Sequence, residues 1–275
     1  MNDVHIEEED SVALSKRAFS AQQGKVNVAV VLLRYISNYT DFARLEQDER
    51  VHLFYTNNVE ELQQADIIIV PGSKSTLSDL YELRRNGVAQ AIIRAHRAGK
   101  TILGICGGYQ ILGQEVYDPD GVEGDLTRLP GLGLLPIATE MAADKVTTQA
   151  TFTLIGSDVP CSGYEIHMGE TSFTGTDDCH PLTITRRAGE TCAVTEGTGR
   201  ADGLIFGTYI HGIFDHDEFR RQILNALRQK KGLAPLTSTR SVAAEKQRSY
   251  DQLAAVVRRS LDMDKIRAIM GLGSK

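Results

Sequence analysis

Residues Gly104-Ile105-Cys106-Gly107-Gly108-Tyr109-Gln110-Ile111-Leu112-Gly113 decide how this chain folds. The apolar, β-like run 101–105 stops at a cysteine, two glycines follow, and a helical pattern begins. A strand that enters a helix through so tight a turn strains its corner residue and leaves that side chain presented. Glycines beside the corner let other backbone approach closely. The new helix aims free N–H groups and its positive end at the sulfur, which favours thiolate over thiol. Cys106 therefore reads as a nucleophile on an elbow. The competing reading is a buried cysteine closing a parallel strand, but a core cysteine has no need of Gly107-Gly108 behind it.

Working outward from the elbow, apolar strand-like runs alternate with helical patterns at 26–33, 51–55, 66–70 and 100–105. Helical stretches are expected at 41–47, at 59–64 and over 77–98, the last broken near Gly87. This alternation predicts an α/β fold with a mostly parallel sheet and helices on both faces. From about 131 to 200 the rhythm changes to short strands at 132–135, 146–155, 164–168 and 182–186, which predict a β-rich antiparallel extension of the sheet. The stretch 241–270 returns to helical spacing, with Asp262 as the cap of a short final helix and Gly271 as its stop. Residues 1–25, with the acidic run Glu7-Glu8-Glu9-Asp10, read as a linker or tail, and 26–275 as the folded domain.

A cysteine nucleophile needs a base. The run Gly203-Leu204-Ile205-Phe206-Gly207-Thr208-Tyr209-Ile210-His211-Gly212 ends in a histidine and precedes an amphipathic helix over 215–231. His211 thus falls at a strand end, the edge where α/β sheets place reactive groups. His167, in the strand-like Gly163-Tyr164-Glu165-Ile166-His167-Met168-Gly169, is the competing base. Pro71-Gly72-Ser73 follows the third strand, so its loop opens at the same edge as Cys106. Backbone N–H groups of Gly72 and Ser73, with that of Gly107, are placed to hold an oxyanion; otherwise the segment is a plain strand-to-helix turn.

Gly-Ile-Cys-Gly-Gly-Tyr-Gln with a distant Tyr-x-His-Gly resembles the class I glutamine amidotransferase family, in its cobyric acid synthase branch. Val70-Pro71-Gly72-Ser73-Lys74-Ser75-Thr76, the Gly163–Gly169 stretch and the tail Ser249-Tyr250-Asp251-Gln252-Leu253 through Leu261-Asp262-Met263 are similar to that branch in particular. The resemblance implies that Cys106 attacks the amide of glutamine with His211 as base, and that Gly72, Ser73 and Gly107 form the oxyanion loop. It further implies that the α/β core is flavodoxin-like and that Gln110 contacts the bound glutamine. The family motif covers His167 but places the base at His211, so His167 is read as substrate-shaping or structural, and Tyr209 as a candidate for shaping the substrate site. The ammonia would serve an N-terminal ATP-binding synthetase domain, with ATP and Mg bound there and no cofactor in this domain. The acceptor would be a corrinoid, adenosylcobyrinic acid a,c-diamide, amidated at its b, d, e and g carboxylates in cobalamin biosynthesis. A related branch amidates cell-wall lipid. A cysteine hydrolase on the same elbow and a non-catalytic glutamine-binding module are the other readings. Many class I members carry an acid two residues after the histidine; here that position is Ile213, and Asp215, Asp217 and Glu218 follow. Either a Cys–His dyad or an acid from elsewhere is expected.

Composition narrows the alternatives. The chain has 275 residues, 41% hydrophobic and 24% charged, with a net charge of −6. It has no basic stripe for nucleic acid and no apolar run of membrane-spanning length. Cys106, Cys161, Cys179 and Cys192 lack C-x-x-C spacing, and a working thiol suits a reducing cytoplasm. The adjacent Cys179-His180 pair cannot chelate well, so no metal site is expected. Gly72-Ser73-Lys74-Ser75-Thr76 fails the phosphate-loop spacing, and Gly99-Lys100-Thr101 has Arg94 where the first glycine should stand.

Overall fold

The fold is taken from a computed structural model, which describes residues 21–176, 179–237 and 242–271. Most of the expected tail, including the Glu7–Asp10 run, lies outside the described residues.

Five parallel strands build the main sheet in the spatial order Val51–Thr56, Val26–Val31, Ile67–Val70, Thr101–Ile105, Ile205–Thr208. Numbered along the chain this is 2-1-3-4-5, the flavodoxin-like order. The short strand Thr198–Gly199 adds an antiparallel edge beside Ile205–Thr208. Val26–Val31, Ile67–Val70 and Thr101–Ile105 are buried at every position. That is why their sequences are continuous apolar runs rather than alternating ones: helices cover both faces. The two helices expected over 77–98 are Thr76–Arg85 and Val88–Arg97. Between them Gly87 takes φ +84°, a left-handed conformation that glycine adopts without a Cβ penalty.

The β-rich stretch is antiparallel as expected, yet it forms a second sheet instead of extending the first. Its order is Glu190–Glu196, Leu182–Arg187, Ile137–Leu154, Cys161–Phe173, Ile210–His211. Residues 132–135 are not a strand; the first long strand begins only at Ile137. The amides of Leu132, Gly133, Leu134 and Leu135 instead bond carbonyls of Ile111, Leu112 and Gly113, which ties this segment to the end of the elbow helix. The chain passes between the two sheets on either side of the last parallel strand, first from Glu196 into Thr198 and then back after Thr208. The chain leaves the parallel sheet after Thr208 and enters the second at Ile210, where Ile210 and His211 pair with Glu165 and Tyr164. His211 therefore stands one step beyond the parallel strand that leads to it.

The C-terminal helices are Val242–Ser260 and Met263–Ile269. Asp262 caps the second, its side chain accepting from Lys265 N at 3.1 Å, and Gly271 turns left-handed after it.

Candidate active site

Cys106 has φ 53° and ψ −113°, one of three described non-glycine residues with positive φ. An elbow forces this conformation, and it costs about 1–3 kcal/mol that the surrounding packing must offset. The clamp is visible on both sides: Cys106 N donates to Thr208 O at 2.8 Å, and Cys106 O accepts from Gln110 N at 3.1 Å. The following glycines are obligatory for steric reasons. A Cβ on Gly108 would lie 1.9 Å from Val70 O, and one on Gly107 would lie 2.9 Å from Ser73 N. The elbow helix Gly107–Leu112 is thereby pressed against the segment that contains Gly72 and Ser73. The thiol is 7% exposed and lies 3.4 Å from Ile166 O, on the second sheet.

His211 is fully buried. Its Nδ1 is 2.7 Å from Asp41 Oδ2, and Asp41 Oδ1 accepts Gly212 N–H at 2.9 Å. Nε2 makes no hydrogen bond of full geometry, which leaves it for Cys106, whose sulfur contributes to the charge state of the ring. Burial opposes a charge on His211, but the Asp41 hydrogen bond and Cys106 outweigh it and raise its pKa to about 10. Tyr164 stacks on the imidazole at 5.1 Å between centroids, and the Asn38 carboxamide is 3.0 Å from Nδ1. A Cβ on Gly72 would come within 3.4 Å of His211 Cε1. Gly72 and Ser73 thus lie between base and elbow, in a short antiparallel pairing with Ser37 and Ile36. Asp79 secures this segment: it accepts the Ser73 hydroxyl at 2.6 Å and the Arg34 amide at 3.0 Å.

Gln110 is 2% exposed, and its amide is engaged within the protein. Oε1 accepts from Thr76 Oγ1 at 3.1 Å, and Nε2 donates to Met168 O at 3.0 Å and to the Tyr209 hydroxyl at 3.1 Å. Gln110 joins the elbow helix to both the histidine segment and the second sheet. His167 stacks on Tyr209 with centroids 3.8 Å apart, and burial pushes its pKa down to about 4. Its Nδ1 is buried without a partner.

Asp41, Asn38 and Tyr164 were not singled out by sequence reasoning. Asp41 falls in a 3₁₀ turn, Tyr39–Phe42, on the loop after the first strand. Its loop opens at the edge that also carries Cys106, and an acid well beyond the strand end at Val31 gives no local sign that His211 is its partner. The acids after His211 are turned to other work. Asp215 lies 3.6 Å from Arg44, Asp217 is 2.6 Å from Arg220, and Glu218 pairs with Arg221. Among the described residues no group of three His, Cys, Asp or Glu is placed to hold a metal, and no helix is long and apolar enough to cross a membrane.

Comparison with known proteins agrees with this geometry. Residues 27–219 match the CobB/CobQ-like glutamine amidotransferase domain. Cobyric acid synthase of Phocaeicola vulgatus is 51% identical over 97% of the chain, and that of Bacteroides fragilis 52% over 98%. Cobyric acid synthase of Salmonella choleraesuis is 44% identical over 98%. The chain spans about half the length of these relatives, 52–54%. Among solved structures, PurLQS from Thermotoga maritima aligns with TM-score 0.52 at 19% identity, over 74% of this chain and 96% of that one. A crystal structure of a glutamine amidotransferase aligns with TM-score 0.51 at 16% identity, over 74% and 98%. At such identities these two support the fold alone. The chain belongs to the CobB/CobQ-like glutamine amidotransferase family.

Proposed function

We propose that this chain hydrolyses glutamine and supplies the ammonia to an ATP-dependent synthetase domain that makes cobyric acid. The observation that carries the reading is the line Cys106–His211–Asp41 at the C-terminal edge of the parallel sheet. Cys106 Sγ adds to the side-chain carboxamide carbon of glutamine. The carbonyl oxygen becomes an oxyanion beside the backbone N–H groups of Gly72, Ser73 and Gly107, donors worth about 10²–10³ each in comparable sites. The proton held on His211 Nε2 passes to the amide nitrogen, the C–N bond breaks, and ammonia leaves. A water, deprotonated by the now neutral His211, attacks the glutamyl thioester; glutamate is released and Cys106 is restored. Asp41 holds the imidazole in the orientation that points Nε2 at the sulfur throughout.

The names of the relatives, and the half-length match, support a synthetase partner with a corrinoid acceptor. ATP and Mg belong to that partner in this reading, because amidating a carboxylate requires its activation, and a working thiol suits a reducing cytoplasm. Gln110, His167 and Tyr209 form the wall around the elbow against which the substrate lies. The test is glutamate release from glutamine by the purified chain, alone and with a synthetase half, ATP and the a,c-diamide. Stimulated hydrolysis coupled to amide formation is expected. No glutamate release in either case, with Cys106 intact and unmodified, would refute the reading.

A further inference from the structure

Glu196 is a carboxylate that the reaction above does not use. It is 7% exposed, at the end of the strand Glu190–Glu196. Oε1 accepts the Tyr209 N–H at 2.7 Å, and Oε2 accepts the Thr208 hydroxyl at 2.6 Å. Thr208 Oγ1 in turn accepts the Ile210 N–H at 3.0 Å. The main-chain donors of both residues preceding His211 thus end on one carboxylate, one directly and one through a hydroxyl. They do so where the chain leaves the parallel sheet for the second one. Tyr209 is also held at its far end, by Gln110 Nε2 on the helix that starts at Cys106.

We propose that Glu196 is a positioning residue for the Cys106–His211 pair and that it acts only as a carboxylate. Ionised, it accepts at both oxygens. A proton on Oε1 would face the Tyr209 N–H. A proton on Oε2 would make Thr208 accept twice and strand its own hydroxyl hydrogen. Either way a buried donor loses its partner, and the bend before His211 loosens. The titratable and charged groups facing Glu196 are Tyr109, Tyr209, Glu165 and Arg187; Glu165 opposes ionisation and Arg187 favours it. Arg187 is already paired with Glu165 at 2.9 Å, so its help is divided. Burial dominates and raises the carboxyl to about 7.

The proposal rests on Cys106 and His211 forming a working pair, and its test needs no glutamine site. Alkylation of Cys106 by iodoacetamide, followed peptide by peptide in the mass spectrometer from pH 5.5 to 8.5, reports that pair directly. The wild-type chain should show an inflection near pH 7, with the acid side slower by about tenfold, a modest figure for a displaced partner. Glu196→Gln should be slow and flat across the interval, and Glu196→Asp should recover part of the rate. Thr208→Val should be slower at pH 8 by about threefold while keeping the inflection. A thermal melt separates positioning from mere structure. The folded carboxyl binds its proton above the unfolded value of 4.5, so stability falls as pH rises from there through about 7. That component should vanish in Glu196→Gln together with the reactivity. Wild-type rates in Glu196→Gln at pH 8, or no inflection in the wild type, would overturn the proposal. If Glu196→Gln does not fold, an unchanged Thr208→Val rate would overturn it as well.

Discussion

Asp41 Oδ2 lies 2.7 Å from His211 Nδ1, although 170 positions separate the two residues in the chain. One comes from the loop after the first parallel strand and the other from the entry to the second sheet. Their contact closes a Cys–His–Asp line in which the acid precedes both partners in sequence. Asp41→Asn keeps the shape but turns the acceptor into an ambiguous amide, so the imidazole loses its fixed tautomer. In a Ser-His-Asp enzyme that change costs about 10⁴ in kcat, and a loss of about 10²–10⁴ in glutamine hydrolysis is expected here. Alanine at Asp215, Asp217 or Glu218 should cost less than about threefold in hydrolysis, since these acids face Arg44, Arg220 and Arg221 instead of His211. Ammonia release by the four variants checks this ranking, and a loss at Asp215 as large as at Asp41 would reverse it.

The same contact predicts how stability changes with pH. Burial works against the charge of His211, but Asp41 and Cys106 carry its pKa from the unfolded 6.5 up to about 10. Between those values the folded chain binds the proton and the unfolded chain does not, so unfolding free energy falls as pH rises. The contribution is complete below 6.5 and gone above about 10. The melting temperature of the wild-type chain should therefore decline across this window, and His211→Asn should flatten the decline. A parallel decline in the variant would place the titration elsewhere.

At Cys106 chemistry and backbone can be separated. Alanine and glycine both remove the sulfur and should both abolish hydrolysis. In ordinary secondary structure glycine is less stable than alanine by about 0.5–1 kcal/mol. At φ 53° that order should invert, because glycine carries no Cβ into a strained conformation. Urea unfolding of Cys106→Gly and Cys106→Ala is the measurement. An alanine variant more stable by about 1 kcal/mol would mean that the elbow is not strained.

How much of this was legible in the sequence depends on the range of the interaction. The elbow was readable because strand, corner and glycines are contiguous, and the steric demand at Gly108 is met within one turn and one neighbouring strand. That the sheet is parallel and covered on both faces followed from continuous apolar runs alternating with helical patterns. Asp41 was not readable as the third member, since 3₁₀ turns and helix starts favour acids for local reasons. Its partner is fixed only when the sheet order brings the first loop beside the histidine. The second sheet was misplaced because strand pairing is non-local. Antiparallel patterning at 137–154 and 161–173 does not say which edge, if any, the pair joins. Glu196 gave no signal, as one glutamate at the end of a strand reads as a solvated charge.

The last expectation concerns the two histidines near the elbow. Both lie on the second sheet, both are largely buried, and each ring is stacked on a tyrosine. Their charge states diverge because their partners do. His211 has a carboxylate on Nδ1 and titrates near 10. His167 meets burial with no carboxylate against its ring, and with the charges of Arg187 and His211 opposing its own, so it titrates near 4. At neutral pH His167 is an uncharged plate against Tyr209, with ring centroids 3.8 Å apart, and holds no acidic imidazolium proton to deliver to leaving ammonia. His211→Asn should then lower kcat for glutamine hydrolysis by about 10²–10⁴, the range for removing a general acid–base. His167→Asn should act mainly on KM, because it removes a wall of the site and leaves the proton path intact. The acid limb of kcat should stay where it is in His167→Asn. A loss of kcat at His167 equal to that at His211, or a shifted limb, would give His167 the proton-transfer role instead.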